Sequence, residues 1–284
     1  MGVAPQAFFM PASARGTGHR LCLYHAPQGP VCHAALVYVH PFAEEMNKSR
    51  RMAALQSRVF ARAGFAVLQI DLLGCGDSSG DFEDATWQDW IDDVGSAVSW
   101  IRERHPVPLA LWGLRAGCLL AAAAAQRVTV PCDLLLWQPA PSGKALLRQF
   151  LRLQVAGERL DGDGDGATDV QTLRERIAAG AGVEIAGYRP SAALAAGLDD
   201  AVLVPPRTGS RIAWLEVSAR AQAELLPASG ALVQRWEQAG YPVAAQVVQG
   251  PPFWQTVEIE EAPALLDATL SAMIDMLPAV EPTT

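Results

Sequence analysis

The sequence predicts one α/β domain with a mainly parallel central sheet flanked by helices, and three observations carry that expectation. Short apolar runs alternate with longer amphipathic stretches. The runs are nearly continuous in Val, Leu, Ile and aromatic residues, as strands buried on both faces require. Finally, 284 residues suit a single large core with an insertion better than two separate ones.

The elements follow in order. Residues 34–40, 65–71, 109–113 and 133–139 are the buried-strand runs of the first half. A helix is expected over 48–63, with Met52, Leu55, Val59 and Phe60 at helical spacing and Gly64 as its stop. Thr86 followed by Asp89 reads as a capping box opening the next helix, whose apolar stripe is Trp90, Val94, Val98 and Ile101. From about residue 142 to about 207 the rhythm breaks into an Ala-, Gly- and charge-rich stretch, expected to be a cap inserted into the single domain of residues 1–284. Strands resume at 211–218 and 243–249, a last helix is expected over 262–277, and residues 281–284 should fray.

Composition narrows the function. Half the residues are hydrophobic and 18% are charged, the balance of a packed domain. A formal charge of -8 without any Lys/Arg cluster argues against nucleic acid and anionic bilayers as partners. With no run of about 18 apolar residues and no secretory leader pattern, a transmembrane segment is not expected and the cytoplasm is the expected location. The Met1-Gly2 start lacks the Ser or Thr at the sixth position that myristoylation wants, since Gln6 stands there. Cys22, Cys32, Cys75, Cys118 and Cys132 are odd in number and form no C-x-x-C pair, so reduced, mostly buried thiols are expected rather than disulfides or zinc.

Three local motifs come in order. VHPF (residues 39–42) reads as a turn after an early central strand, able to supply an oxyanion-hole amide. DLLGCGDSSG (71–80) has the pattern D-x-x-G-x-G-x-S, and LWGLRAG (111–117) falls where a strand turns sharply into a helix. Together they resemble the α/β-hydrolase fold, most tightly from residue 34 to 139, and the last one takes the place of its G-x-S-x-G nucleophile elbow. Here Gly113 and Gly117 are kept but the middle residue is Arg115, a permanent cation that carries only donors and cannot attack a carbonyl. All five histidines, His19, His25, His33, His40 and His105, precede the elbow, whereas the fold carries its base after the final strand. That position reads QGPPFWQT (249–256), and the stretch after residues 211–218 offers Glu216 and Glu224 where an acid is expected.

HPFAEEMNKSRR (40–51), DLLGCGDSSGDFEDATWQDW (71–90), WGLRAG (112–117) and GPPFWQT (250–256) resemble the exosortase A system-associated hydrolases of type 2, found beside bacterial exopolysaccharide and protein-sorting genes. That resemblance implies proteins of the exopolysaccharide machinery as partners, and an elbow arginine that belongs to the group. Fold alone does not establish an activity.

Two readings of Arg115 are open. A guanidinium at a helix N-terminus concentrates positive charge for a carboxylate, phosphate or sulfate. Alternatively it pairs internally with Glu44, Glu45 or Asp77. The candidate ligand contacts are Arg115, Phe42, Leu114, Ala116 and Trp254, for a small anionic or acyl ligand. Should catalysis persist, Glu44 or Glu45 could activate water for an ester or thioester while Arg115 stabilises the oxyanion, with His40 as a further acid-base candidate. A protein-interaction scaffold is the third reading. Cys118 is expected in the core rather than as a nucleophile. Phe253 and Trp254, with Trp112 and Trp137, are either core or pocket wall. Asp161, Asp163, Asp165 and Gly166 open a calcium-loop pattern that fails at Thr172, so an acidic loop is expected there, with neither metal nor cofactor.

Overall fold

The computed structural model describes residues 4–12, 17–161, 169–207 and 209–278, with 158–161 described through their backbone alone. In chain order the elements are β1 (Gln6–Pro11), β2 (His19–His25), β3 (Ala35–Val39), α1 (Glu44–Arg62), β4 (Ala66–Ile70), α2 (Trp87–Arg104), β5 (Leu109–Leu114), α3 (Ala116–Ala125) and β6 (Cys132–Trp137). They continue with α4 (Gly143–Asp161), α5 (Val170–Ala178), α6 (Ala192–Asp200), β7 (Ile212–Ser218), α7 (Pro227–Gln238), β8 (Val243–Gln249) and α8 (Pro263–Asp275).

The strands form one sheet in the order β1-β2-β4-β3-β5-β6-β7-β8, parallel from β4 to β8, with β2 antiparallel to both β1 and β4. Each run from residue 34 onward that reads as a buried strand forms one. The β1–β2 hairpin goes unread because neither strand is a continuous apolar run: β1 opens on Gln6 and closes on Pro11, and β2 opens on His19 and Arg20 and closes on His25. Side chains alternate across the sheet with period two: Ala35, Val37 and Val39 face one core, Leu36 and Tyr38 the other. The first core is closed by α2, α3, α7 and the α4–α6 helices, the second by α1 and α8.

Helix α1 begins at Glu44, one turn before the expected Lys48, because Ala43 turns the chain at φ 50° and lets Glu44 and Glu45 form an acidic first turn. The capping box forms as read: Asp89 N donates to Thr86 Oγ1 at 3.1 Å, and Thr86 N to Asp89 Oδ2 at 3.0 Å. Residues 71–80 make a structural loop. Gly74 and Gly76 adopt left-handed backbone, and a Cβ on Gly76 would lie 1.9 Å from Asp71 Oδ2. Asp71 accepts both terminal nitrogens of Arg50, and Ser78 Oγ bonds Asp71 O and Leu21 N. Beneath it, buried Asp93 Oδ2 accepts from Arg20 Nε at 2.7 Å and Leu73 N at 2.8 Å.

This topology fixes where a site can be. Strand β3 has β4 on one side and β5 on the other, and the helices that follow β3 and β5 leave to opposite faces. The crevice beyond the carboxyl ends of β3 and β5 is therefore the switch point of the sheet, flanked by the N-termini of α1 and α3.

Candidate functional site

The turn between β5 and α3 is held by backbone contacts rather than by side-chain caps. A Cβ on Gly113 would sit 2.6 Å from Cys118 N, and one on Gly117 would sit 2.2 Å from Val39 O, so both positions need glycine for α3 to press against β5 and the end of β3. Between them Arg115 is forced to φ 55°, ψ -116°, a conformation costing about 1–3 kcal/mol for a residue with a Cβ. Its N–H donates to Trp137 O, and its C=O accepts from Cys118 N. Ala43 is similarly strained across the crevice, at φ 50° and ψ -127°. The amides of Phe42 and Ala116, one beside each turn, find no backbone acceptor among the described residues.

The Arg115 side chain lies over this crevice and is 11% exposed. Its Nε donates to Glu45 Oε1 at 3.2 Å and Oε2 at 3.4 Å, Nη2 lies 3.2 Å from Glu45 Oε1, and Nη2 donates to Gln149 Oε1 at 2.7 Å. The guanidinium carbon is 5.8 Å from the Trp254 ring centroid, within cation–π range. One cation thus joins α1, the elbow, α4 and the loop after β8. Of the three internal partners read from the sequence, Glu45 is the one in contact; Asp77 is exposed on its loop, and Glu44 feels Arg115 only through the field.

Charge at this site is poorly solvated. Burial raises the Glu45 pKa to about 7, outweighing the lowering by Arg115, so the bridge does not hold its carboxylate fully ionised at neutral pH. Burial also raises Glu44, and its buried Oε2 finds no hydrogen-bond partner among the described residues. His40 is lowered by burial and both ring nitrogens are engaged: Nδ1 lies 2.8 Å from Pro41 O, and Leu72 N donates to Nε2 at 3.3 Å. A neutral ring with its proton on Nδ1 satisfies both contacts and ties the end of β3 to the end of β4.

The other residues singled out in the sequence separate into floor and core. Phe42 stacks edge-on with Phe82 at 5.4 Å and Phe150 at 5.2 Å, forming an aromatic wall beside Gln149. Ala116 is buried at the start of α3, and Leu114 is buried in the second core with Trp112, Trp137, Phe253 and Trp254. Trp254 is 3% exposed, and its Nε1 finds no hydrogen-bond partner among the described residues. The Cys118 thiol donates to Trp137 O and its pKa is pushed far up by burial, as a core thiol's is. Glu216 accepts from Trp214 Nε1 and Leu226 N, which leaves it holding the start of α7, and Glu224 is exposed. Asp163, Asp165 and Gly166, with the Asp161 side chain, lie outside the described residues, among which no group of three or more His, Cys, Asp or Glu is arranged to hold a metal ion. Gln149 was not legible, because its partner is 34 residues away and nothing local distinguishes it.

Comparison with solved structures bears on this geometry. A carboxyl esterase from Bacillus coagulans superposes with a TM-score of 0.64 at 16% identity, covering 96% of this chain and 97% of that one. The chain has the α/β-hydrolase fold. Est1E from Butyrivibrio proteoclasticus, with ferulic acid bound, gives 0.67 at 17% identity over 95% and 99% of the two chains. A proline iminopeptidase-related protein from Thermus thermophilus gives 0.59 at 17% over 98% and 100%. Residues 31–158 of this α/β-hydrolase-fold chain match the family model described as serine aminopeptidase, S33. No curated protein shows significant sequence similarity. No described helix is long and apolar enough to cross a membrane.

Proposed function

We propose that this chain uses the α/β-hydrolase scaffold to bind an anionic or acyl-type small molecule without hydrolysing it. The observation that carries this reading is Arg115, a guanidinium at the strained elbow, where the serine hydrolases of this fold carry their nucleophile. It is supported by the absence of any histidine after His105 and by Phe253 and Trp254 filling the loop after β8 with apolar surface. The free amides beside two helix N-termini and the guanidinium together suit an anion. The helices between residues 142 and 207 act as a cap over the site, within one domain. The quoted segments support the exosortase A-associated type, with a cytoplasmic place and contacts to exopolysaccharide machinery.

The test is an ester and thioester panel run beside thermal-shift titrations with carboxylates and phosphate, on the wild type and Arg115→Ala. A flat panel with a carboxylate shift lost in Arg115→Ala is expected; turnover by the wild type well above buffer overturns the reading. One observation favours a second reading. With its pKa raised to about 7, Glu45 is poised as a general base beside a cation able to stabilise an oxyanion. Turnover abolished by both Arg115→Ala and Glu45→Gln would establish it.

A further inference from the structure

Glu45 is itself a carboxylate seated against the guanidinium, which makes it an internal stand-in for whatever binds there. We infer that the ligand is a carboxylic acid that takes Glu45's place on Arg115, and that its binding draws one proton from solvent onto the displaced Glu45. The inference rests on the binding function proposed above.

The geometry supplies the reason. Glu45 offers both oxygens to Arg115 Nε and one to Nη2, so the edge of the guanidinium is already shaped to a planar two-oxygen anion. Gln149 completes the hold on Nη2 with a neutral oxygen and needs no charge change when it yields. Glu45 and Arg115 are 9% and 11% exposed, so a Glu45 pushed off its partner does not reach bulk water. Charged groups facing it are few: α1 contributes Glu44 and Lys48, the elbow contributes Arg115, while α4 and the loop after β8 offer the neutral Gln149 and Trp254. Glu44 opposes ionisation, and among the described residues its own buried Oε2 has no partner. An incoming carboxylate would otherwise set three acidic groups around one guanidinium. Protonating Glu45 leaves the pocket charge unchanged, whereas a phosphate dianion would add a charge with no group to absorb it. The raised titration of Glu45 shows that little stands in the way of that proton.

The consequence is a linkage. Below the Glu45 titration the displaced group is already protonated and affinity is flat. Above it, each pH unit weakens binding by up to about tenfold, because one proton must be taken up per ligand. Glu45→Gln, which cannot ionise, should bind more tightly at alkaline pH and without pH dependence.

The experiment is calorimetric titration of the full chain with butyrate and with inorganic phosphate at about pH 6 and about pH 8.5, in two buffers of different ionisation enthalpy, on wild type, Glu45→Gln and Arg115→Ala. Expected are butyrate binding that weakens more than about tenfold between the two pH values, proton uptake approaching one at the higher pH, and loss of both features in Glu45→Gln. Butyrate binding that depends on Arg115 but not on pH would overturn the proton exchange and leave the binding function standing. Phosphate binding as tightly as butyrate would overturn the carboxylate class. If neither probe binds any variant, including Glu45→Gln, the inference and the function beneath it both fail.

Discussion

At the scale of single residues the molecule concentrates unfavourable electrostatics in one place. Glu45 titrates near 7 in the fold against 4.5 for the free side chain, so the folded state holds its proton more tightly than the unfolded one. The sign follows: the cost is absent below about pH 4.5, builds as the unfolded chain ionises first, and is complete above about pH 7, where it reaches on the order of 3 kcal/mol. Urea unfolding of Glu45→Gln should therefore show a smaller loss of stability between about pH 5 and about pH 8 than the wild type; parallel curves would place the Glu45 titration elsewhere. Arg115→Ala works in the opposite sense. Removing the cation leaves Glu45 buried and raises its titration further, so the variant should lose about 1–3 kcal/mol at pH 8 and clearly less at pH 6, where protonation relieves the orphaned group. Much of this was visible in outline. Arg115 between two glycines and the adjacent Glu44–Glu45 pair both stand out in the chain, but choosing Glu45 over Glu44 or Asp77 needed the φ 50° turn at Ala43, which points the second acid rather than the first at the elbow. Gln149 and the double engagement of His40 depend on partners that only the fold brings near.

At the scale of elements the strands after residue 34 were legible because each is a short apolar run, mostly buried in β3 to β7 and partly exposed at the edge in β8, and the capped start of α2 because its signal is local. Helix α3 was not legible as amphipathic, since it is buried all round and its apolar residues carry no period. The elbow glycines make the sharpest test of how these elements meet. Gly117→Ala pushes a Cβ against the carbonyl of Val39, a backbone atom that cannot swing aside, and should cost more than about 3 kcal/mol or abolish folding. Gly157→Ala, inside α4 with nothing within 4 Å of its added Cβ, should instead be neutral or stabilise by up to about 1 kcal/mol. Thermal unfolding of the two variants side by side separates a glycine required by packing from one that is merely tolerated.

At the scale of the whole molecule, the α/β-hydrolase sheet delivers a strained elbow, two helix N-termini and, among the described residues, two amides without a backbone acceptor to the carboxyl ends of β3 and β5. The fold aims groups at a point; it does not choose them. Arg115→Ser tests whether a hydroxyl at the elbow is enough for hydrolysis. The serine would sit at the same turn, beside the same amides, but it would lack an imidazole. His40 is locked between Pro41 O and Leu72 N, and the loop after β8 presents Phe253 and Trp254. A hydroxyl without a base in reach is a weak nucleophile. Hydrolysis of p-nitrophenyl acetate by Arg115→Ser should therefore stay within roughly tenfold of the Arg115→Ala control. Glu45 is the group placed to defeat that expectation, because loss of Arg115 frees its carboxylate beside the new serine. Turnover in Arg115→Ser that rises through the Glu45 titration and disappears in Arg115→Ser/Glu45→Gln would show that Glu45 can serve as base for a nucleophile placed at the elbow.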